Sequence, residues 1–255
     1  MALARLIARL DIKGPTLVKG IQLEGLRQLG SPSVFAEEYY RQNIDEIIYM
    51  DAVASLYDRN SLNEIVAWTS ERIFVPLTVG GGIRSVSDAI RMFRSGADKV
   101  AVNTAALKRP ELLSEIASAS GSQSIVLSIE AKAIGSGQWE AYMENGREPT
   151  GRDVISWARE GERLGAGEIL LTSVDQEGTR RGCDLSLLTA VSSAVRIPVI
   201  YSGGVGKPSD VVEAIKIGGA SAVAMADILH YKRYELEEIR QEVRNADIKV
   251  RQNHA

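Results

Sequence analysis

The chain has 255 residues, of which 45% are hydrophobic and 25% are charged, and its net charge is −3. A chain of this length buries roughly 75% of its unfolded surface, so we expect a single domain over residues 1–255. The acidic balance predicts no nucleic-acid or membrane partner. One cysteine and two histidines predict no disulfide, no metal or other cofactor, and a cytoplasmic location.

Short apolar runs alternate with segments of helical period along the whole chain. The predicted strands lie near residues 4–10, 45–50, 75–80, 98–103, 124–129, 168–173, 198–202 and 221–226. The predicted helices lie near residues 34–43, 60–72, 86–95, 109–118, 152–164, 184–195, 209–217 and 235–243. Strict alternation of strand and helix is typical of a parallel sheet, and eight such units predict a closed (β/α)8 barrel. An open doubly wound sheet is the alternative, although no G-x-G-x-x-G sequence follows the first strand.

One stretch of the chain is repeated 122 residues later. The sequence VPLTVGGGI at 75–83 recurs as IPVIYSGGV at 197–205, followed in both places by a serine–aspartate pair and a further glycine. A repeat of about half the chain length predicts a barrel built from two duplicated half-barrels. Each copy places glycines at a strand end, where bare backbone N–H groups can hold a phosphate just before a helix. Two such turns predict a substrate with two phosphate-like ends, although glycine also serves any tight turn.

Two acidic residues end strands on opposite sides of the predicted barrel mouth. Asp11 follows the first strand and Glu130 follows the fifth, at matched positions of the two halves. Functional residues of such barrels lie at the carboxyl ends of the strands, and facing carboxylates suit the roles of general acid and general base. We therefore expect both residues to be catalytic, the alternative being that each only caps its loop.

Alternate residues of the first strand share one face, so Arg5, Arg9 and Asp11 point the same way. If Asp11 faces the mouth, Arg9 lies in the lumen beneath it. A buried guanidinium needs a partner, and the candidates are Asp11, Asp51 and Glu130. A cation at this place would hold a neighbouring carboxylate ionised.

Four charges of alternating sign lie near the other end of the predicted barrel. They are Arg5, Glu46, Lys99 and Glu168, close to the starts of strands one, two, four and six. A ring of ion pairs there either stabilises the barrel or acts as a gate, and the residues alone leave both functions open.

Two connections at the mouth exceed the usual length, at roughly 11–32 and 130–151. The second carries the turn pair Asn145-Gly146, which predicts a small hairpin. Long loops at this face act as lids or as walls of a substrate pocket, and we favour that role over a decorative insertion.

The chain resembles the cyclase subunit of imidazole glycerol phosphate synthase over essentially its full length. Segments that match this family lie at 5–8, 11–13, 18–20, 78–83, 96–100, 103–106, 165–173 and 202–204. Members of the family are (β/α)8 barrels that pair with a glutaminase subunit as a heterodimer. The resemblance implies that ammonia from the partner travels up the barrel and attacks a bis-phosphorylated ribulosyl substrate. The products would be imidazole glycerol phosphate, for histidine synthesis, and an aminoimidazole carboxamide ribotide.

The resemblance also assigns roles to individual residues. It implies that Asp11 is the general acid and Glu130 the general base. The expected substrate and phosphate ligands are Lys19, Gly81, Gly82, Asn103, Thr104, Glu177, Gly178, Gly203, Gly204 and Ala226. The expected ammonia gate is the floor ring of Arg5, Glu46, Lys99 and Glu168, which favours the functional interpretation of that ring.

Four positions depart from the family pattern. Glu130 and Glu177 stand where aspartate is usual, Arg9 where a small residue is usual, and Asp227 where a serine of the second phosphate site is usual. A longer carboxylate displaces a proton-transfer group, and a carboxylate beside a phosphate is repulsive. An alternative function is therefore a diverged paralogue that delivers ammonia to another acceptor, such as a surface-polysaccharide sugar. A non-catalytic activator of the glutaminase remains a further alternative, and the sugar isomerase of the same pathway is less favoured.

Overall fold

The computed structural model of the chain describes residues 3–53 and 62–252. The strands are β1 Arg5–Lys13, β2 Thr16–Ile21, β3 Glu24–Gly30, β4 Glu46–Asp51, β5 Leu77–Gly80, β6 Lys99–Val102, β7 Ile125–Gly135, β8 Gln138–Met143, β9 Glu148–Asp153, β10 Glu168–Ser173, β11 Val199–Ser202 and β12 Ala222–Met225. The helices are α1 Pro32–Arg41, α2 Asn63–Ser70, α3 Val86–Arg94, α4 Thr104–Lys108, α5 Glu111–Ser120, α6 Val154–Arg163, α7 Leu185–Ser192, α8 Pro208–Lys216, α9 Asp227–His230 and α10 Leu236–Asn245. Most bounds lie within a few residues of the predicted ones, and the start of the predicted helix at 60–72 falls outside the described residues.

Eight of the strands run parallel and close into a barrel. Their order around it is β1, β4, β5, β6, β7, β10, β11 and β12, and β12 pairs with β1 to complete the ring. The other strands form two antiparallel extensions, β2–β3 on the end of β1 and β8–β9 on the end of β7. The predicted (β/α)8 barrel is confirmed, and the open-sheet alternative is wrong.

Alternation along β1 sorts its side chains between two apolar clusters. Leu6, Ala8 and Leu10 pack into the main core beneath the helices, whereas Ile7 belongs to a separate cluster in the lumen. The lumen cluster consists of Ile7, Ile48, Ala101, Val126, Leu170, Ile200, Ala222 and Ala224. Because its members are aliphatic and three of them are alanines, the middle of the barrel axis is lined by apolar and partly small side chains.

The helix starts follow local capping chemistry. Ser85 caps α3 by accepting a hydrogen bond of 3.2 Å from the backbone N–H of Asp88. Pro208 is the first residue of α8, a position where the missing N–H of proline costs no hydrogen bond within the helix. In the described part of the chain, no helix has the length and apolarity that crossing a bilayer requires.

The duplication extends beyond the repeated sequence. Gly81 and Gly203 both have a left-handed backbone, with φ of 91° and 114°. Two short helices that the sequence did not predict, α4 and α9, occupy matched places after β6 and β12. Their N-cap residues, Asn103 and Ala226, have φ/ψ of −121°/−89° and −129°/−78°. The two halves of the barrel therefore share their turns as well as their strands.

Both long connections at the mouth form hairpins. The hairpin predicted near 130–151 is present, and Asn145 and Gly146 at its β8–β9 turn are left-handed, with φ of 59° and 73°. The connection at 11–32 contains a second hairpin, β2–β3, which the sequence did not predict. It was missed because β3 is mostly exposed and lacks the apolar alternation of a buried strand.

Candidate active site at the barrel mouth

The two candidate catalytic carboxylates lie at the barrel mouth, as the sequence predicted. Asp11 is near the carboxyl end of β1, and Glu130 is in the middle of β7, where the pairing with β10 ends and the pairing with β8 begins. Asp11 is 6% exposed and Glu130 is 4% exposed, so both are essentially removed from solvent. Oε2 of Glu130 accepts a hydrogen bond of 2.7 Å from the backbone N–H of Gly146 at the tip of the β8–β9 hairpin. The hairpin thus fixes the orientation of the Glu130 carboxyl group.

Arg9 crosses the lumen directly beneath the mouth. Its Nε donates to Oδ1 of Asp11 at 3.0 Å, and its Nη1 donates to Oγ1 of Thr172 at 2.8 Å and to Oγ of Ser202 at 3.2 Å. The guanidinium therefore ties β1 to β10 and β11. Of the three candidate partners that the sequence left open for Arg9, the structure selects Asp11.

The environments of the two carboxylates push their pKa values in opposite directions. Burial alone would raise the pKa of Asp11, but the positive charges of Arg9 and Lys19 outweigh burial and lower it below the ordinary value. Burial raises the pKa of Glu130 to about 7, with Arg9 and the N–H of Gly146 only partly opposing the rise. Asp11 is therefore held ionised, whereas Glu130 can exchange a proton near neutral pH.

The β2–β3 hairpin covers one side of the mouth. Lys19 on β2 forms a buried ion pair with Glu177, which follows β10. The backbone N–H of Gln22 donates to the carbonyl of Glu177 at 2.7 Å. Gly178 packs so closely on the hairpin that an added Cβ would lie 2.4 Å from the carbonyl oxygen of Gly20. In this conformation the hairpin closes over Asp11 and the loop after β10.

The first glycine turn opens into a cavity of about 430 Å³. The predicted ligands Gly81, Gly82, Asn103 and Thr104 line it together with Glu130. A side chain at Gly81 would place its Cβ 2.7 Å from the carbonyl oxygen of Asp51, so only glycine allows this turn. Three basic residues, Arg84, Lys108 and Arg109, also line this cavity; Lys108 is paired with Glu144 at 3.1 Å and Arg109 with Glu115.

The second glycine turn encloses far less space. Its cavity of about 10 Å³ is lined by the predicted ligands Glu177, Gly178, Gly203, Gly204 and Ala226, and by Asp227. This volume suits about one water molecule.

Asp227, the residue of this second turn that departs from the family pattern, has cationic neighbours. Oδ1 of Asp227 accepts a hydrogen bond of 2.6 Å from Nε of Arg233, and Nε of Arg180 lies 3.9 Å from the same oxygen. The negative charge that the sequence analysis expected to repel a phosphate is therefore compensated by two arginines.

The four charges at the barrel floor form a closed ring. Arg5 donates to Glu46 at 2.6 Å and also contacts Glu168, while Lys99 lies 2.8 Å from Glu168 and 3.4 Å from Glu46. Each cation thus bridges both carboxylates. The ring closes the lumen below the aliphatic cluster that separates it from Arg9.

Two contributors to the mouth were not identified from the sequence. His230, at the end of α9, is buried, and its Nδ1 lies 2.6 Å from the hydroxyl of Tyr39. Burial lowers the pKa of His230 to about 4, so the ring is neutral at physiological pH. The sequence predicts Gly146 only as a turn residue, since its contact with Glu130 depends on the fold of the hairpin.

Among residues 3–53 and 62–252, no cluster of three or more His, Cys, Asp or Glu is placed to hold a metal ion.

Buried acid–base groups at the mouth of a duplicated (β/α)8 barrel define a barrel enzyme whose chemistry lies at the carboxyl ends of its strands. The chain belongs to the histidine biosynthesis protein family, which it matches over residues 5–235. It is 64% identical over 207 residues to the imidazole glycerol phosphate synthase subunit HisF of Legionella pneumophila, an alignment that covers 81% of this chain and 98% of that protein. The predicted resemblance is confirmed, and the chain is a cyclase-type enzyme of histidine biosynthesis.

Proposed function

We propose that this barrel uses ammonia released by a separate glutaminase subunit to convert a bis-phosphorylated ribulosyl substrate into imidazole glycerol phosphate and aminoimidazole carboxamide ribotide. The observation that carries the proposal is the order of layers along the barrel axis. A ring of charges at the floor is followed by an aliphatic layer and then by the buried carboxylates of the mouth. This order suits the entry of a small neutral molecule at the floor and its use at the top.

Each part of the site has a place in this proposal. Asp11 and Glu130 flank the reacting atoms, and Lys19 holds the hairpin closed over them. The turn of Gly81, Gly82, Asn103 and Thr104 holds one phosphate, and the turn of Glu177, Gly178, Gly203, Gly204 and Ala226 holds the other. The glutaminase docks at the floor ring to form a heterodimer, and the whole chain, 1–255, acts as a single domain.

The direct test omits the partner. Purified protein supplied with the bis-phosphorylated ribulosyl substrate and excess ammonium salt should release the carboxamide ribotide. Absence of turnover would exclude the reaction. If the protein still stimulated a glutaminase under those conditions, a non-catalytic role as activator would be favoured instead.

The gate is tested separately by Lys99→Met. Loss of the ammonium group leaves two carboxylates with Arg5 alone, so the floor ring should no longer stay closed. We expect several-fold more glutamine hydrolysed per product formed, with ammonium-driven turnover close to wild type. The matched control is Lys216→Met, which removes an exposed lysine at the end of α8. Unchanged coupling in Lys99→Met would mean that the ring only stabilises the barrel.

A second candidate function is favoured by the second glycine turn. The small cavity there and the carboxylate of Asp227 suit a phosphate less well than the first turn does. Together with Arg9 and Glu130, these features support a diverged paralogue that passes ammonia to another acceptor, such as a surface-polysaccharide sugar.

The double variant Asp227→Ser with Glu130→Asp distinguishes the two functions. The serine removes a negative charge beside the second phosphate and frees two arginines for it. If divergence explains these residues, turnover of the bis-phosphorylated substrate should rise by about tenfold. An unchanged or lower rate, measured with ammonium salt as the nitrogen source, would count against divergence.

A further inference from the structure

Four buried charges at the mouth form two neutral pairs. Arg9 is paired with Asp11, and Lys19 is paired with Glu177. None of these residues is more than 6% exposed. Because an isolated buried charge is costly, each pair is stable only as long as both of its members stay charged.

Glu130 is a further buried charge-bearing group at the mouth. Within the described residues it forms no ion pair, and its hydrogen bonds come from uncharged donors, the backbone of Gly146 and the amide of Asn103. Lys108, along the same cavity, is paired with Glu144 at 3.1 Å. An ionised Glu130 is therefore a buried negative charge with no directly bonded cation among the described residues.

Charged and titratable groups face the two carboxylates from several elements of the mouth. Asp11 faces Arg9 on its own strand, Lys19 on β2 and neutral His230 on α9. Glu130 faces Arg9 and Asp11 on β1, and Asp51 and Glu144 lie along the same cavity. Arg9, the cation whose charge acts on Glu130, is already bonded to Asp11 at 3.0 Å.

We propose that Arg9 is a positioning residue that holds Asp11 as a permanent carboxylate, so that Glu130 alone gives and takes the proton when ammonia adds to the acceptor. This inference rests on the proposed function, and it reverses the assignment of general acid to Asp11. The opposite directions of the Asp11 and Glu130 pKa values support it.

Glu130 alone carries out both proton transfers of this step. As ammonia attacks the carbonyl carbon of the ribulosyl group, the nitrogen–carbon bond forms and the carbonyl π pair moves to oxygen. That oxygen takes the proton of Glu130. The resulting glutamate then takes a proton from the positively charged nitrogen, which leaves a neutral carbinolamine and a protonated Glu130. Asp11 stays ionised throughout and stabilises the cationic nitrogen.

The test is a carboxyl titration by carbon-13 nuclear magnetic resonance on the full chain, labelled at aspartate Cγ and glutamate Cδ. The Asp11 and Glu130 signals are assigned by comparison with Asp11→Asn and Glu130→Gln. In wild type, Glu130 should titrate near neutral pH and Asp11 should remain ionised. In Arg9→Met, the pKa of Asp11 should rise by about 2, and Arg9→Lys should restore most of the lowering.

Turnover provides the second readout. With free ammonia held constant at each pH, the wild-type rate should fall as rising pH removes the proton of Glu130. Because the charge of Arg9 lowers the pKa of Glu130, Arg9→Met should move that fall to higher pH. If the methionine variant does not fold, the wild-type titration decides alone, because it shows directly which carboxyl carries the neutral-range proton. A wild-type titration in which Asp11 carries the neutral-range proton, or in which Glu130 is ionised throughout, would overturn the proposal. Because the titration needs no substrate, its outcome is independent of whether the proposed reaction occurs.

Discussion

Replacement of Glu130 by glutamine is expected to lower turnover by about 10³-fold. The amide has the same shape and can still accept the hydrogen bond from the N–H of Gly146, so the fold should persist. It cannot exchange a proton with the reacting atoms, which removes the acid–base step. The measurement is the steady-state rate with ammonium salt as the nitrogen source, accompanied by thermal unfolding to confirm that the variant is folded.

The matched control for this prediction is Glu140→Gln. Glu140 lies on β8 of the same hairpin and accepts a backbone hydrogen bond of 2.5 Å from Gly151, much as Glu130 does from Gly146. It does not line the cavity of the first glycine turn. We expect the control to stay within about twofold of wild type. Comparable losses in both variants would mean that Glu130 supports the hairpin and takes no part in the chemistry.

The barrel could be predicted because its signals are local. Alternation of apolar runs with helical segments, and a repeat at half the chain length, give the strands, the helices and the duplication. The two-residue period of β1 is enough to place Arg9 and Asp11 on the lumen side of that strand. Short elements with weak periodicity could not be predicted, as the four-residue helix α9 and the exposed strand β3 illustrate.

The electrostatics of the mouth could not be predicted, because its contacts join residues that are distant in the sequence. Lys19 and Glu177 are 158 residues apart, and Arg9 and Ser202 are 193 residues apart. Which carboxylate Arg9 binds decides which carboxylate keeps its proton, and that choice depends on side-chain positions. The sequence named candidate residues at the mouth, and the fold determines how charge is divided among them.

The two duplicated halves differ in the space beside their glycine turns. The first glycine turn keeps a cavity of about 430 Å³, whereas the second retains about 10 Å³ beneath the loop that holds Arg180 and beside Asp227. The β2–β3 hairpin packs on the second half through Glu177 and Gly178. The cavity beside the first glycine turn is therefore open, whereas the one beside the second is almost filled.

The raised pKa of Glu130 predicts a loss of stability with rising pH. In the unfolded chain this carboxyl has a pKa of 4.5, and in the folded protein its pKa is about 7. The folded state therefore binds the proton more tightly, so the stabilisation is complete below pH 4.5 and is lost as the pH rises through about 7. The loss amounts to about 3 kcal/mol at most, from roughly 1.4 kcal/mol per pH unit between the two values.

Glu130→Gln should abolish this dependence, because the amide does not titrate. The free energy of unfolding in urea, compared at pH 5 and pH 8, should fall further for wild type than for the variant, which becomes the more stable of the two at pH 8. Glu140→Gln should follow wild type, since Glu140 is not fully buried. Parallel pH profiles for wild type and Glu130→Gln would show that the buried carboxyl is ionised in the folded protein. In that case Glu130 would not be the residue that lowers the stability of the protein above pH 7.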